Sequence, residues 1–454
     1  MDLVDLLPLV MFASVAVLLF TGYPVAFVLG GVALFFGFIG TALWVFKPIE
    51  FFNLLPRIWG GIAENLVLVA VPLFVFMGTM LERSDVAADL LRALQVLLRR
   101  VPGGLALSVT LMGTIMAATT GIIGASVVML TMMALPVMLE RRYSHELATG
   151  TIAAAGTLGI LIPPSIMLVI MADLLSLSVG NLFFGAVFPG LLLSGLYLLY
   201  ITAFAMLRPA SAPPLTTGEG PSTRGELAAL LLKSFFPPTF LIVLVLGSIF
   251  AGWATPTEAA AVGAAGTILL AAAKRRLTLA TLVDVCERTG LTCAMIFFIF
   301  IGATAFSYVF RSLGGDYVIE DLIAASGLDS WGILFLIMAV VFVLGFFFDW
   351  VEITLIVLPV FAPLVKTLDF GTHVAKPEIV YWFAILLAVN LQTSFLTPPF
   401  GFALFYMKGI CPPQVRLGEI YRGIVPFVIL QLVGLGLCIA FPEIALWLPR
   451  TMLD

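Results

Sequence analysis

Two short stretches place oxygen-bearing side chains where an otherwise apolar chain has little use for them. "GTLGILIPPS" (156–165) and "LQTSFLTPPFG" (391–401) each set hydroxyl or amide groups beside a Pro-Pro pair. A proline removes a helical hydrogen bond and clashes with the preceding turn, so two in a row are expected to stop a helix. The half-helix before such a break ends in free carbonyls, and the one after it begins with free N–H groups and a positive dipole end. One break therefore offers a cation site and an anion site side by side. At the first, Gly156 and Gly159 allow close backbone approach, Thr157 adds a hydroxyl oxygen, and Ser165 adds a donor at the start of the second half. At the second, Gln392, Thr393, Ser394 and Thr397 take the corresponding positions, with Thr397 preceding Pro398 as an N-cap would. Hard oxygens without a fixed charge suit a singly charged cation such as sodium.

Two further stretches mark turns inside apolar segments. In "TTGIIGAS" (119–126), Gly121 and Gly124 permit a tight turn, and Ser126 is expected to cap the helix that follows. In "GFFFDWVEIT" (345–354), Asp349 and Glu352 sit in an apolar context, where ionisable groups are costly and mark function. Asp349 aligns with Ser126 when the two Leu-Pro-Val repeats (135–137 and 358–360) are superposed, and it would also serve as a helix N-cap.

The elements that must hold these groups follow from composition. Of 454 residues, 62% are hydrophobic and 11% charged, which points to an all-α polytopic membrane protein. Apolar stretches long enough to span recur from residues 6–20 to 423–446. The amino terminus lacks the basic region of a secretory signal and is expected to be the first span. Four unpaired-looking cysteines and two histidines make no case for zinc, redox or haem chemistry, and no phosphate-binding G-x-x-x-x-G-K-[ST] motif is present. The expectation is a carrier and not an enzyme.

A Pro-, Ser- and Gly-rich linker (208–226) divides the chain into halves. If it is cytoplasmic, and if 104–140 and 332–365 are re-entrant hairpins, alternation sends 16 of the 22 Lys and Arg residues to the cytoplasmic side and 6 to the outside. The halves also repeat each other in order: "FVFMG" with "FIFIG", "ALPV" with "VLPV", "ILIPPS" with "FLTPPF". Their members run in opposite directions through the bilayer, which makes an inverted repeat of the kind used by secondary transporters. Blander expectations are a capping box at Thr255–Glu258, an amphipathic helix at 86–100 bearing Leu90, Leu91, Leu94, Leu97 and Leu98, and a counterpart at 319–325.

The strings "GIIGASVV", "GTLGILIPPS", "SVGNLFFGAVFPGLLL", "ATPTEAAAVGA", "GFFFDWVEIT", "NLQTSFLTPPFGFALFYMKG" and "IYRGIVPFVILQ" together resemble the large membrane subunit of the TRAP (tripartite ATP-independent periplasmic) transporters over essentially the whole chain. The resemblance implies sodium-coupled import of a small organic acid, a carboxylate, across the bacterial inner membrane by an elevator-type transporter. It assigns residues 1–100 to a scaffold with an amphipathic arm and 101–178 to the first hairpin and broken helix of a transport domain. Residues 179–330 return to scaffold, with the linker at 207–233 and a second arm; 331–417 form the second hairpin and broken helix; 418–454 are scaffold again. Sodium is implied at Gly121, Gly124 and Ser126 with Gly156, Thr157 and Pro163, and at Asp349 with Gln392, Thr393, Thr397 and Pro398. The substrate is expected near Ser126, Ser165, Asp349 and Gly401. At the first tip this chain has Ile123-Gly124-Ala125-Ser126 where several family members have Ser-Gly-Ser-Ser, so backbone carbonyls must contribute more there. The implied partners are a small four-helix membrane subunit, a periplasmic substrate-binding protein, the organic anion and membrane lipid. The alternative reading is a divalent-anion/sodium symporter or a cation/proton antiporter that works alone, since both can use paired hairpins and broken helices.

Overall fold

The computed structural model describes residues 6–120, 123–214, 224–398 and 401–453, and among them every regular element is a helix. In chain order these are α1 (Leu7–Leu19), α2 (Val25–Ala42), α3 (Leu54–Ile58), α4 (Ala70–Arg83), α5 (Val86–Leu97), α6 (Gly104–Thr120), α7 (Ile123–Glu140), α8 (His145–Thr157), α9 (Ile166–Leu175) and α10 (Val179–Leu207). After the linker come α11 (Arg224–Phe250), α12 (Pro256–Ala273), α13 (Leu279–Ser312), α14 (Gly315–Ser326), α15 (Ser330–Leu344), α16 (Trp350–Val365), α17 (Ile379–Leu396), α18 (Phe402–Ile410), α19 (Leu417–Ala440) and α20 (Glu443–Leu453). Eight of the described helices are long and apolar enough to span a bilayer. The protein is a multi-pass integral membrane protein.

Local sequence sets many of the helix starts. Ser144, Thr278 and Asp329 accept hydrogen bonds from Leu147 N, Thr281 N and Gly332 N at 3.2, 3.1 and 2.9 Å, starting α8, α13 and α15. The expected capping box forms at α12: Thr255 Oγ1 accepts from Glu258 N at 3.3 Å, and Glu258 Oε2 accepts from Thr255 N at 2.8 Å. The amphipathic helix α5 buries Leu90, Leu91 and Leu94 against α6 and α11, while Leu97, expected on the same face, is 46% exposed.

The two halves build the same parts. The pairs α6–α7 and α15–α16 are hairpins; α8–α9 and α17–α18 are helices broken at the Pro-Pro pairs; α10 and α19 follow as long, Pro-containing helices. The parts interlock across the repeat. Hairpin helix α7 packs on α18, the far half of the second broken helix, and α16 packs on α9, the far half of the first. Helix α17 lies at the centre, with every residue from Trp382 to Leu396 buried. Glycines allow the closest crossing: a Cβ on Gly150 of α8 would collide with the Gly423 carbonyl of α19, and one on Gly423 with the Glu146 carbonyl. A buried bond from Gln431 Nε2 to Tyr197 Oη at 2.7 Å joins α19 to α10.

A third Pro-Pro pair shows that the prolines alone do not make a break. Pro237 and Pro238 lie inside α11, which runs through them without a break. Exposed Lys233 lies one turn away, so carbonyls freed there sit where water can satisfy them. Pro163 and Pro164, by contrast, are buried and have no such outlet.

Candidate ion and solute sites

At the first break α8 ends at Thr157, a single 3-10 turn covers Leu158–Ile160, and α9 begins at Ile166. Ser165 caps α9, accepting from Leu168 N at 3.5 Å, while its own hydroxyl donates to the Ile160 carbonyl, so one side chain closes the gap. Thr157 is fully buried and donates to the Ala154 carbonyl at 2.9 Å, which leaves its oxygen lone pairs free. Gly156 is the contact point with hairpin α6–α7: a Cβ there would stand 2.5 Å from Val127 Cγ2 and 3.2 Å from Val127 Cα. Beside this contact lies a cavity of about 10 Å³ lined by Gly113, Met116, Ser126, Gly156 and Gly159, among others. That is the size of one water or one desolvated small cation. Ser126 does not cap α7 as expected; the helix has begun by Ile123, and Ser126 lies in its first turn, facing the cavity. The described chain resumes at Ile123, so Gly121 lies outside the described residues; buried Pro163 lies in the loop between the two halves.

The second break repeats the pattern. Thr393 donates to the Asn390 carbonyl at 2.6 Å, the same three-residue back-bond that Thr157 makes. Thr397 is not the N-cap of the second half. It ends α17, donating to the Thr393 carbonyl at 2.6 Å, and α18 starts four residues after Pro398 with Gly401 as its cap residue at φ +31°. Gly401 therefore stands between Pro398 and the helix that proline was expected to open. The hairpin again touches its broken helix through a glycine: a Cβ on Gly345 would overlap the side chain of Ser394.

Buried polar atoms without partners gather here. Ser394 Oγ, both side-chain polar atoms of Gln392, and Thr354 Oγ1 make no hydrogen bond among the described residues. Leaving such groups unpaired costs about 1–3 kcal/mol each, so they mark a place where a ligand or water belongs. Gln392 and Ser394 are two residues apart on a helix and point to opposite sides, so their side chains cannot serve one ion together. Ser394 is the one that faces the hairpin.

Asp349 is the N-cap of α16, its Oδ1 accepting from Trp350 N at 2.8 Å, with Glu352 Oε2 accepting from Asp349 N at 3.2 Å. It also lines a cavity of about 310 Å³ where both hairpin tips meet: Gly124 and Ala125 from one, Asp349 and Trp350 from the other, with Phe402 and Tyr406 of α18. The Tyr406 ring lies 2.8 Å from where a Gly124 Cβ would be. The remaining wall is Glu82 of α4 with Arg288, Thr292, Met295 and Ile296 of α13. Arg288 is the residue that motif reading missed. It lies outside every break, held by Asp284 at 3.1 Å, and its only sequence signal is an arginine about two and a half turns into a 34-residue, mostly apolar helix. Ser126, Ser165 and Gly401 do not line this cavity, though Phe402, next to Gly401, does.

Comparison with known proteins agrees with this architecture. Residues 12–444 match the family described as "Tripartite ATP-independent periplasmic transporter, DctM component". The chain is 30% identical over 392 residues to the C4-dicarboxylate TRAP transporter large permease protein DctM of Pseudomonas aeruginosa, covering 86% of this chain and 87% of that one. It is likewise 30% identical to the ectoine/5-hydroxyectoine TRAP transporter large permease protein UehC of Ruegeria pomeroyi, covering 84% and 85%. Among solved structures the YdaH transporter of Alcanivorax borkumensis superposes with a TM-score of 0.60 over 89% of this chain and 90% of that one at 15% identity, a likeness of fold alone.

Proposed function

The chain belongs to the DctM family of tripartite ATP-independent periplasmic transporters, a permease subunit in the bacterial membrane and not an enzyme, and from that premise we propose that it imports a small organic acid, a carboxylate, with sodium as the coupling ion. A periplasmic binding protein delivers the acid, and a small four-helix membrane subunit completes the assembly.

The observation that carries the reading is the matched construction of the two breaks. Each pairs a back-bonded threonine, Thr157 or Thr393, with a glycine contact between hairpin and broken helix. Beside the first, the cavity of about 10 Å³ walled by Ser126, Gly156 and Gly159 fits a sodium ion bound by uncharged oxygens. Ser394 Oγ supplies an uncommitted oxygen beside the second. Gly124 and Pro163 belong to the first ion site, and Thr397 and Pro398 to the second, through backbone carbonyls. Gln392, on the opposite face of α17 from Ser394, serves the space between the two sites.

The solute occupies the cavity of about 310 Å³, within the range of small-molecule sites. The single arginine in its wall, Arg288, pairs with one carboxylate, and the start of α18 turns its positive end toward the same space. Asp349 holds the second hairpin tip at its rim, and Ser165 and Gly401 set where the two far half-helices begin. Membership in a tripartite family favours this reading over a symporter or antiporter that works alone.

The test is reconstitution with the two partner proteins in vesicles. A solute identified for the binding protein should accumulate under an inward sodium gradient without ATP. Equal uptake with potassium in place of sodium on both sides would refute sodium coupling.

A further inference from the structure

A second and larger cavity has no role in the reading above. It encloses about 440 Å³ and is walled by Phe300, Ala303, Thr304, Ser307, Tyr308 and Arg311 of α13, together with the outer half of α16, the end of α9 and Arg57 of α3. Its charged lining is Arg57, Arg311 and Lys366, and no Asp or Glu lines it. The solute cavity differs in sign, with Arg288 beside Glu82 and Asp349.

Little cancels that charge. Arg311 lies 3.7 Å from Asp316 and gives an Nη2–H to the Pro359 carbonyl at 2.6 Å. The Arg57 guanidinium stands 4.6 Å over the Tyr308 ring, an attraction that leaves its charge unpaired. Lys366 makes no ion pair among the described residues. Only 6 of 22 basic residues are expected on the outer side, and three of them converge on this one space.

The two cavities open on one face of α13. Arg288, Thr292 and Ile296 line the inner one; Phe300, Thr304, Ser307 and Arg311 continue the same helical stripe into the outer one. Thr292 and Ser307 are separated by about 22 Å along the axis, at ~1.5 Å per residue. We propose that the outer cavity is a capture site for a small organic anion bearing a carboxylate, occupied before the solute reaches the hairpin tips. The proposal rests on the reading of the chain as an importer of organic acids. Concave, one-signed walls focus the field and raise the local concentration of the opposite charge. Ser307 and Ser176 supply neutral donors for the rest of the ligand, and Thr304, whose proton goes to the Phe300 carbonyl, presents an acceptor oxygen.

The experiment reads charge in the cavity directly, without turnover. The chain is purified with its four native cysteines replaced, Ser307→Cys is introduced as a reporter, and the protein is placed in neutral phosphatidylcholine vesicles. Reaction rates with an anionic (sulfonatoethyl) and a cationic (trimethylammonioethyl) methanethiosulfonate are compared with those at Thr372→Cys, an exposed position in the loop before α17. The anionic-to-cationic rate ratio should be about tenfold or more higher at 307 than at 372. Arg57→Gln with Lys366→Gln should bring the two ratios together, and millimolar propionate or succinate should slow the anionic reagent at 307 while mannitol does not. Equal ratios at the two positions would overturn the proposal. So would protection by added phosphatidylglycerol with none by propionate or succinate, since the cavity would then hold a lipid phosphate. A failure of sodium-driven uptake would leave these rates unchanged, so the two readings fail separately.

Discussion

Thr157 and Thr393 give their protons to main-chain carbonyls and keep their lone pairs, so on the proposed reading replacing either hydroxyl by a methyl group removes an ion ligand with almost no change of shape. Thr157→Val and Thr393→Val should each raise the sodium concentration for half-maximal uptake about tenfold, the equivalent of ~1.4 kcal/mol. The lost hydrogen bond costs only about 1 kcal/mol of stability, so expression should stay normal. An unchanged sodium dependence in both variants would leave ligation to the backbone alone. Gly345→Ala is the severe counterpart: its Cβ would overlap Ser394, and uptake should be lost, whereas Gly195→Ala, with nothing within 4 Å of the added carbon, should be silent. At this scale the sequence was legible wherever the chemistry is local. Ser165, Thr157 and Asp349 sit next to what they bond. Ser126 and Thr397 were misplaced because where a helix begins inside a membrane is set by its packing partners, and Arg288 was invisible because its cavity is assembled from segments more than 150 residues apart.

The hairpins are the elements on which the inverted repeat stands, and their two-way interlock, α7 on α18 and α16 on α9, follows from it. Cysteines at the exposed positions Arg142, after the first hairpin, and Thr372, after the second, should react with impermeant reagent from opposite sides of the membrane. Labelling of both from one side would sink the repeat. Helix positions were largely readable from apolar runs and caps, since the box at Thr255 and Glu258 and the breaks near 163 and 398 formed where expected. The continuous helix through Pro237 and Pro238 was not readable, because proline chemistry is the same in all three places and only depth and packing decide whether the freed carbonyls find partners.

For the molecule as a whole, the wall opposite the hairpin tips belongs to α4 and α13, and that division of parts makes a separable prediction. Arg288→Gln should raise the solute concentration for half-maximal uptake by about tenfold to a hundredfold, the weight of a charge-assisted hydrogen bond, with the sodium dependence unchanged. A parallel shift in sodium dependence would mean that the arginine supports the ion sites as well. The small cavity beside Gly156 is walled only by the first hairpin and the first broken helix, whereas the solute cavity borrows from both repeats and from helices outside them. On the proposed reading, energy coupling and chemical taste are inherited on different pieces of chain. Mutation could then drift along the cavity-lining stripe of α13, trying one cargo after another, while the proposed ion machinery stayed fixed beside it, and relatives named for solutes as unlike as a dicarboxylate and ectoine are what such a lineage would leave behind.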